Sequence, residues 1–192
     1  MPIHGGTLGE AAAQFRDHLN RVLAQSITPA PLVLVAVGGL PRARVQLAFR
    51  QGGQATEVRL RSRRFGVLWL WLGQICESTV QNGQHRLRTV AYRYTLRVDG
   101  AREPLFRWEY EKELPPPGRH CRHHIQGIPL TIGRAKLSLD TLHVPTGFVT
   151  IEEIVRFCVV DLKVSALSTK WDEVLRKSYE KFKTKFAPRG EV

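Results

Sequence analysis

The dipeptide Asn82-Gly83 is the feature of this sequence that most constrains how the chain can fold. Asn-Gly between two stretches rich in apolar residues is the strongest short-range signal for a two-residue β-hairpin turn. Counting outward from this turn sets Glu77 opposite Arg88, which predicts a cross-strand ion pair. The same count predicts further pairs: Ile75 with Val90, Gly73 with Tyr92, Trp71 with Tyr94, Trp69 with Leu96 and Val67 with Val98. A long antiparallel hairpin is therefore expected.

A turn at Asp99-Gly100 adds a third strand to this hairpin. Asp-Gly is a turn signal, and the chain beyond it predicts a returning strand from Pro104 to Tyr110. A loop of about five residues then gives the cross-strand partners. The predicted pairs are Phe106 with Leu96, Trp108 with Tyr94 and Glu109 with Arg93.

Gly52-Gly53 predicts another two-residue hairpin turn, and the two faces of this hairpin differ in character. One face pairs Val45 with Leu60, Leu47 with Val58 and Phe49 with Thr56. The other face sets Arg42 opposite Arg63, Arg44 opposite Arg61 and Gln46 opposite Arg59, with Arg50 nearby. Like charges directly opposed destabilise a strand pair, so an anionic partner is expected to neutralise them. The candidate nucleic-acid-binding residues are Arg42, Arg44, Arg50, Arg59, Arg61 and Arg63.

Capping boxes mark the start of two helices. Thr7 is followed by Glu10, and Thr150 by Glu153, each near apolar residues at helical spacing. They predict helices over residues 7–26 and 150–163, and a third helix is expected over residues 168–186. We expect the sheet over residues 32–112 and a histidine-rich segment over residues 119–147, all within a single domain of residues 1–192. The predicted fold class is α+β, a twisted antiparallel β-meander of about five or six strands with one N-terminal and two C-terminal helices.

The chain is strongly basic, with 29 Lys and Arg residues against 17 Asp and Glu residues and a formal net charge of +12. Arginine binds phosphate and carboxylate through a planar fork, so the expected partner is nucleic acid, in particular RNA, or an acidic antitoxin or other acidic protein. The longest apolar run, residues 67–72, is too short to cross a bilayer, and the N-terminus lacks a signal-peptide pattern. A cytoplasmic protein without a membrane partner is therefore expected.

Three of the seven histidines, His120, His123 and His124, lie close together in the histidine-rich segment, and His143 could fold back beside them. One interpretation is a metal-free phosphodiester site. Imidazoles titrate near neutral pH and can take or give a proton, while arginines stabilise the charged transition state. The candidate catalytic residues are then His120, His123, His124, His143, Arg107 and Arg122.

Two other interpretations of this segment stay open. A zinc ion could be bound by His120, Cys121, His143 and either His123 or His124, although the paired spacing of a zinc finger or ribbon is missing. Alternatively, the segment is a basic loop whose histidines form hydrogen bonds with the backbone or with water. The expectation that follows from the first interpretation includes neither a metal nor a cofactor.

Part of the chain, about residues 90 to 162, resembles small bacterial toxins of the TumE kind. The resemblance lies in Tyr92-Arg93-Tyr94, the turn that follows, Leu105-Phe106-Arg107-Trp108, the histidine-rich segment and the closing helical run. It implies a toxin that an antitoxin neutralises, with Arg107, His120, His123 and His124 as functional residues. The chain departs from this pattern in its longer N-terminal part and in the prolines that precede the histidines.

Two functional hypotheses follow. The first is a basic nucleic-acid-acting protein, specifically a toxin-type, metal-independent ribonuclease in which arginines hold phosphates and histidines act on one of them. The second is a non-enzymatic nucleic-acid-binding or partner-binding subunit of a bacterial defence or toxin–antitoxin complex. Catalysis on RNA in the presence of a chelator distinguishes the two.

Overall fold

The computed structural model of the protein describes residues 4–37, 44–113, 121–127, 130–132, 135–137 and 144–185. The helices in these ranges are α1 (Leu8–Ala24), α2 (Ile151–Val160) and α3 (Trp171–Lys185). The strands are β1 (His4–Gly5), β2 (Leu32–Val37), β3 (Arg44–Gln51), β4 (Gln54–Ala55), β5 (Val58–Ser62), β6 (Gly66–Gln81), β7 (Gln84–Val98), β8 (Phe106–Glu111), β9 (His123–Gly127), β10 (Leu130–Ile132), β11 (Ala135–Leu137) and β12 (Val144–Pro145). The predicted α+β class, with one N-terminal and two C-terminal helices, is confirmed, and the strands outnumber those of the prediction.

The main sheet is antiparallel, and its strands follow the order β12-β9-β8-β7-β6-β3-β2. Three short strands lie off this path: β1 pairs with β7, β4 with β3, and β5 with β6. Strands β10 and β11 form a separate two-stranded sheet. The long β6 is therefore the centre of the fold, because it contacts β3, β5 and β7.

The helix N-termini form as their capping residues predict. Thr7 accepts a hydrogen bond from the backbone N–H of Glu10 at 3.2 Å, and Glu10 reaches back to the N–H of Gly6 at 2.8 Å. Thr150 and Glu153 form a complete reciprocal box, with N–H···O distances of 3.2 and 2.8 Å. The predicted box is therefore complete at Thr150, whereas at Thr7 the N-cap forms and Glu10 bonds to the residue before it; both caps satisfy a backbone donor of the first turn.

The helices pack against one face of the main sheet, here called the inner face, and the opposite side is called the outer face. The inner face is apolar and, together with one side of each helix, forms the hydrophobic core. Its members include Leu68, Leu70, Leu72, Tyr92, Tyr94 and Leu96 from the sheet, with Phe15, Leu19, Ile154, Val155 and Leu175 from the helices. Among the described residues, none of the helices has both the length and the apolar character needed to span a membrane.

The turn at Asn82-Gly83 forms as predicted, with positive φ angles of 50° and 72°, and Glu77 lies opposite Arg88. Beyond this point the predicted register is wrong, because a β-bulge between Ile75 and Cys76 shifts the pairing by one residue. The observed pairs are Ile75 with Ala91, Gly73 with Arg93, Trp71 with Thr95, Trp69 with Arg97 and Leu68 with Val98. A shift of one residue moves side chains to the other face of a strand. The two tryptophans of β6 are therefore on the outer face, opposite the side that holds Tyr92 and Tyr94.

The next pairing, between β7 and β8, agrees with the prediction. Phe106 lies opposite Leu96, Trp108 opposite Tyr94 and Glu109 opposite Arg93. The register was predictable because the Asp99-Gly100 turn lies close to the pairs and no bulge intervenes. Arg107 and Glu109 consequently share the outer face with Arg93.

The hairpin at Gly52-Gly53 keeps its predicted register only near the turn. Both glycines have positive φ angles, and the N–H of Thr56 donates to the carbonyl of Phe49 at 3.0 Å. The strands then separate, so the predicted pairs beyond Thr56 are wrong. In the structure Val45 lies opposite Cys76 and Leu47 opposite Gln74, whereas Val58 lies opposite Leu70 and Leu60 opposite Leu68.

The positive charges on β3 and β5 and the length of β6 explain why β3 and β5 separate. A continuous hairpin would oppose like-charged arginines, whereas pairing with β6 sets Arg44 opposite Glu77. The edge of β6 that does not pair with β7 is long enough for two partners, and it pairs with β3 along one half and with β5 along the other. The shared apolar face of the prediction survives the change, since Leu47 and Val58 are both buried in the core.

Candidate nucleic-acid interface on the outer face

The outer face contains a concavity of about 450 Å³ formed by residues of β3, β6, β7, β8 and β9. Gly73, Arg93, Glu109 and His124 are successive cross-strand partners on β6, β7, β8 and β9. Directly opposed residues in antiparallel strands project to the same face, so this row crosses the concavity. We call these four residues the central row.

Glu109 is the negative centre of the central row. Its carboxylate accepts from Arg93, lies 3.4 Å from Nε of Arg107, and lies 3.3 Å from Nε2 of His124. Partial burial acts to raise the pKa of Glu109, but the charges of Arg93 and Arg107 and the hydrogen bonds from Arg93 and His124 outweigh it. The pKa of Glu109 is consequently lowered, and the carboxylate is ionised at neutral pH.

His124 is held by two oxygen atoms. Its Nδ1 lies 3.0 Å from the carbonyl oxygen of Cys121, and its Nε2 lies 3.3 Å from Glu109. A neutral imidazole carries one N–H, whereas the imidazolium carries two and can donate to both oxygens. Both ring nitrogens of His124 are therefore close to an oxygen atom, and Nε2 faces the ionised carboxylate of Glu109.

His123, the neighbour of His124 on β9, points to the opposite side of the sheet. Its ring stacks on Tyr110, with centroids 4.3 Å apart and planes 5° apart, and meets Phe148 edge-on at 5.7 Å. Successive side chains of a strand project to opposite faces, which explains the difference. The structure thus places His123 within the aromatic packing of the inner face and does not bring it to the concavity.

The other candidate catalytic residues divide into two groups. Arg107 and Arg122 line the concavity together with His124, so three of the predicted residues do meet there. His120 and His143 lie outside the described residues. In the part of the chain that the structure describes, no group of three or more His, Cys, Asp or Glu side chains is arranged to hold a metal ion.

The predicted nucleic-acid-binding arginines are also not equivalent. Arg44 lies 3.8 Å from the buried Glu77 and 3.3 Å from Glu113, so it is neutralised within the fold. Arg50 donates to the carbonyl of Gly53, 3.0 Å from its Nε, and stabilises the turn. Arg42 lies outside the described residues.

Arg59, Arg61 and Arg63, here called the arginine strip, are exposed. No carboxylate of the described residues lies within ion-pair distance of them. Arg59 is opposite Trp69, which in turn is opposite Arg97. The guanidinium of Arg97 is 6.0 Å from the centre of the Trp69 ring, within the range of a cation–π contact. Arg59, Trp69 and Arg97 form a second row on the outer face.

Trp71 is a candidate functional residue that the sequence did not reveal, because the bulge is needed to place it on the outer face. A Cβ atom at Gly73 would lie only 2.3 Å from Cη2 of Trp71, so the indole occupies space that glycine alone leaves open. A glycine within a strand often marks such a close approach, and this signal was present in the sequence. Trp71 lines the concavity and remains partly exposed.

Comparison with known proteins adds no evidence about this site. No family model, curated protein or solved structure matches the chain. The similarity to TumE-like toxins therefore stays a prediction, and the function has to be argued from the residues of the outer face.

Proposed function

We propose that the protein binds single-stranded RNA on the outer face of its sheet. The observation that carries the proposal is that Trp69 lies beside Arg59, Arg61 and Arg63, which have no carboxylate of the described residues within ion-pair distance. Arg97, the third member of the row, is paired with Glu57 and contacts the indole of Trp69. Arginines bind phosphates, and an indole that is partly exposed, as that of Trp69 is, can stack on an unpaired base, so a surface that combines both suits a single strand. A duplex offers its phosphates but keeps its bases stacked on each other.

The geometry also gives the distance that the RNA strand would have to span. Trp69 and Gly73 are four residues apart on β6, which corresponds to about 13 Å at the rise of a β-strand. The arginine strip and the concavity are therefore separated by a distance that a few nucleotides can span. Binding along the outer face would connect them without any rearrangement of the sheet.

The test is a salt series of RNA affinity. For a single strand, each lost phosphate contact lowers the slope of log K against log salt by about 0.7, so Arg59→Gln, Arg61→Gln and Arg63→Gln together should lower it by about 2. The matched control replaces Arg16, Arg176 and Lys177 by Gln, which removes the same charge from the helices. An unchanged slope in the strip variant, or an equal loss in the control, contradicts the proposed interface and favours an acidic protein partner.

A second candidate function is metal-independent cleavage of the bound RNA, and the His124–Glu109 pair favours it. In such a reaction the 2′-oxygen attacks the adjacent phosphorus as Glu109 takes the 2′-hydroxyl proton, and the imidazolium of His124 gives a proton to the departing 5′-oxygen. The products are a 2′,3′-cyclic phosphate and a 5′-hydroxyl. A proton passing from Glu109 to His124 across 3.3 Å restores the pair.

Binding ranks ahead of cleavage because the lowered pKa of Glu109 makes this carboxylate a weak base. Incubation with total RNA, with and without a chelator, tests the reaction. Cleavage should persist in chelator and disappear in His124→Gln, while His85→Gln, a change in a partly exposed histidine of β7, should retain it. Intact RNA after incubation with the wild-type protein contradicts cleavage and leaves binding as the proposed function.

A further inference from the structure

The concavity has an apolar side and a cationic side. Trp71, Gly73, Ile75 and Ala91 contribute apolar surface, and Arg93, Arg107 and Arg122 bring three positive charges against the two carboxylates of Glu109 and Glu111. The pair of Glu109 and His124 lies between the arginines. This division matches the two parts of a nucleotide, a flat base and a phosphate.

The size of the concavity is also suitable. A volume of about 450 Å³ lies within the range of small-ligand pockets. The concavity is open along the outer face, so a base could enter while its neighbours remain on the surface. A whole duplex has no base free to do so.

The position of Trp71 lowers the stability of the folded state, and packing against Gly73 does not explain why a tryptophan is found there. Its Nε1–H is buried and has no hydrogen-bond acceptor among the described residues, and a buried donor without a partner destabilises the folded state. The indole covers Gly73, a known way to compensate for glycine in a strand. A smaller apolar side chain would also cover the glycine without burying a polar donor.

From these observations we infer that the concavity receives one unpaired base of the bound strand, which stacks on Trp71 while its phosphate contacts Arg93, Arg107 or Arg122. The inference rests on the proposed function, because it specifies how one nucleotide of the RNA is held. It identifies the recognised unit as a base with its own phosphate, in contrast to the backbone contacts expected at the arginine strip.

The test combines a protein variant with a modified ligand. The probes are a 12-nucleotide single-stranded RNA, the same RNA with abasic positions, and free adenosine monophosphate. Stacking on an aromatic side chain typically contributes enough that Trp71→Ala should weaken binding of the intact RNA by about 5- to 150-fold. Trp71→Phe retains a ring and should recover most of the affinity.

The abasic RNA provides the decisive comparison, since it needs no change in the protein. It should bind the wild type at least as weakly as intact RNA binds Trp71→Ala, because it also loses the base that stacks on Trp69, and Trp71→Ala should not weaken the binding of abasic RNA any further. If intact and abasic RNA bind the wild type equally, the base site is wrong although RNA binding stands. If no RNA binds with a salt-dependent affinity, the proposed function itself fails. Tight binding of free adenosine monophosphate without RNA binding overturns the placement in a strand and indicates a mononucleotide site.

Discussion

The side chains on the two faces of the sheet differ in polarity and in how deeply they are buried. On the inner face Leu70, Tyr94 and Leu96 are almost fully buried, and their neighbours are apolar or aromatic. On the outer face Arg93 and Glu109 are charged, Trp71 is a large aromatic residue, and none of the three is buried. The inner face is explained by stability alone, whereas the outer face holds groups that a stable sheet does not need.

His123 and His124, which are neighbours on β9, show this difference between the two faces. His123 stacks on Tyr110 in the aromatic packing, and His124 lies between a carboxylate and a carbonyl oxygen. Closeness in sequence therefore does not make the two histidines parts of one site. Strand alternation, set by the pairing of β8 with β9, determines which of them can meet a ligand on the outer face.

The largest expected effect separates the two faces by stability. Leu96→Ala removes a fully buried side chain from the core and should lower the free energy of unfolding by about 2–5 kcal/mol. Thr95→Ala, the neighbouring change on the outer face, should stay within about 0.5 kcal/mol. Urea unfolding of both variants measures the contrast. Similar losses in the two variants would mean that the faces are wrongly assigned.

A smaller effect is expected from Gly73→Ala, which tests the contact between the two outer-face residues. Gly73 does not have a positive φ angle, so the space taken by Trp71 is the main obstacle to a side chain. Overpacking of this kind costs about 1–3 kcal/mol. The same change in a Trp71→Ala background should cost much less, and a double-mutant cycle by urea unfolding gives the coupling. Additive effects would show that the indole does not lie against Gly73.

Local signals predicted much of this fold. The turns at Asn82-Gly83 and Gly52-Gly53, the N-cap at Thr7 and the capping box at Thr150 involve residues close in sequence, and each forms. The bulge after Ile75 and the separation of β3 from β5 depend on contacts between distant strands, which no local pattern encodes. The candidate site was predictable only in part for the same reason, since the bulge decides the face on which Trp71 lies.

The smallest expected effect concerns the helices beside the inner face, where a polar chain links all three. Ser178 donates to Glu152, and its oxygen lies 2.7 Å from Nε2 of His18. Because the hydroxyl hydrogen is used on Glu152, His18 has to donate through Nε2–H. Burial, followed by the charges of Lys181 and Arg21, lowers the pKa of His18 to about 4.

Because folding lowers the pKa of His18, this residue makes the folded state less stable as the pH falls. The unfolded chain binds a proton at its ordinary pKa of about 6.5, so the contribution of His18 is complete above that pH and is lost as the pH falls toward about 4. Solvent screens this partly buried ring, and we expect a loss of about 1 kcal/mol. Burial raises the pKa of Glu152, whose contribution therefore has the opposite sign and is lost as the pH rises.

The variant His18→Gln keeps a donor for Ser178 but cannot titrate. The difference in unfolding free energy between this variant and the wild type, measured from pH 7 to pH 4, therefore isolates the contribution of the histidine. If the difference in unfolding free energy stays constant from pH 7 to pH 4, His18 is not a neutral, buried residue. The helical side of the sheet would then carry a charged group, as the outer face does.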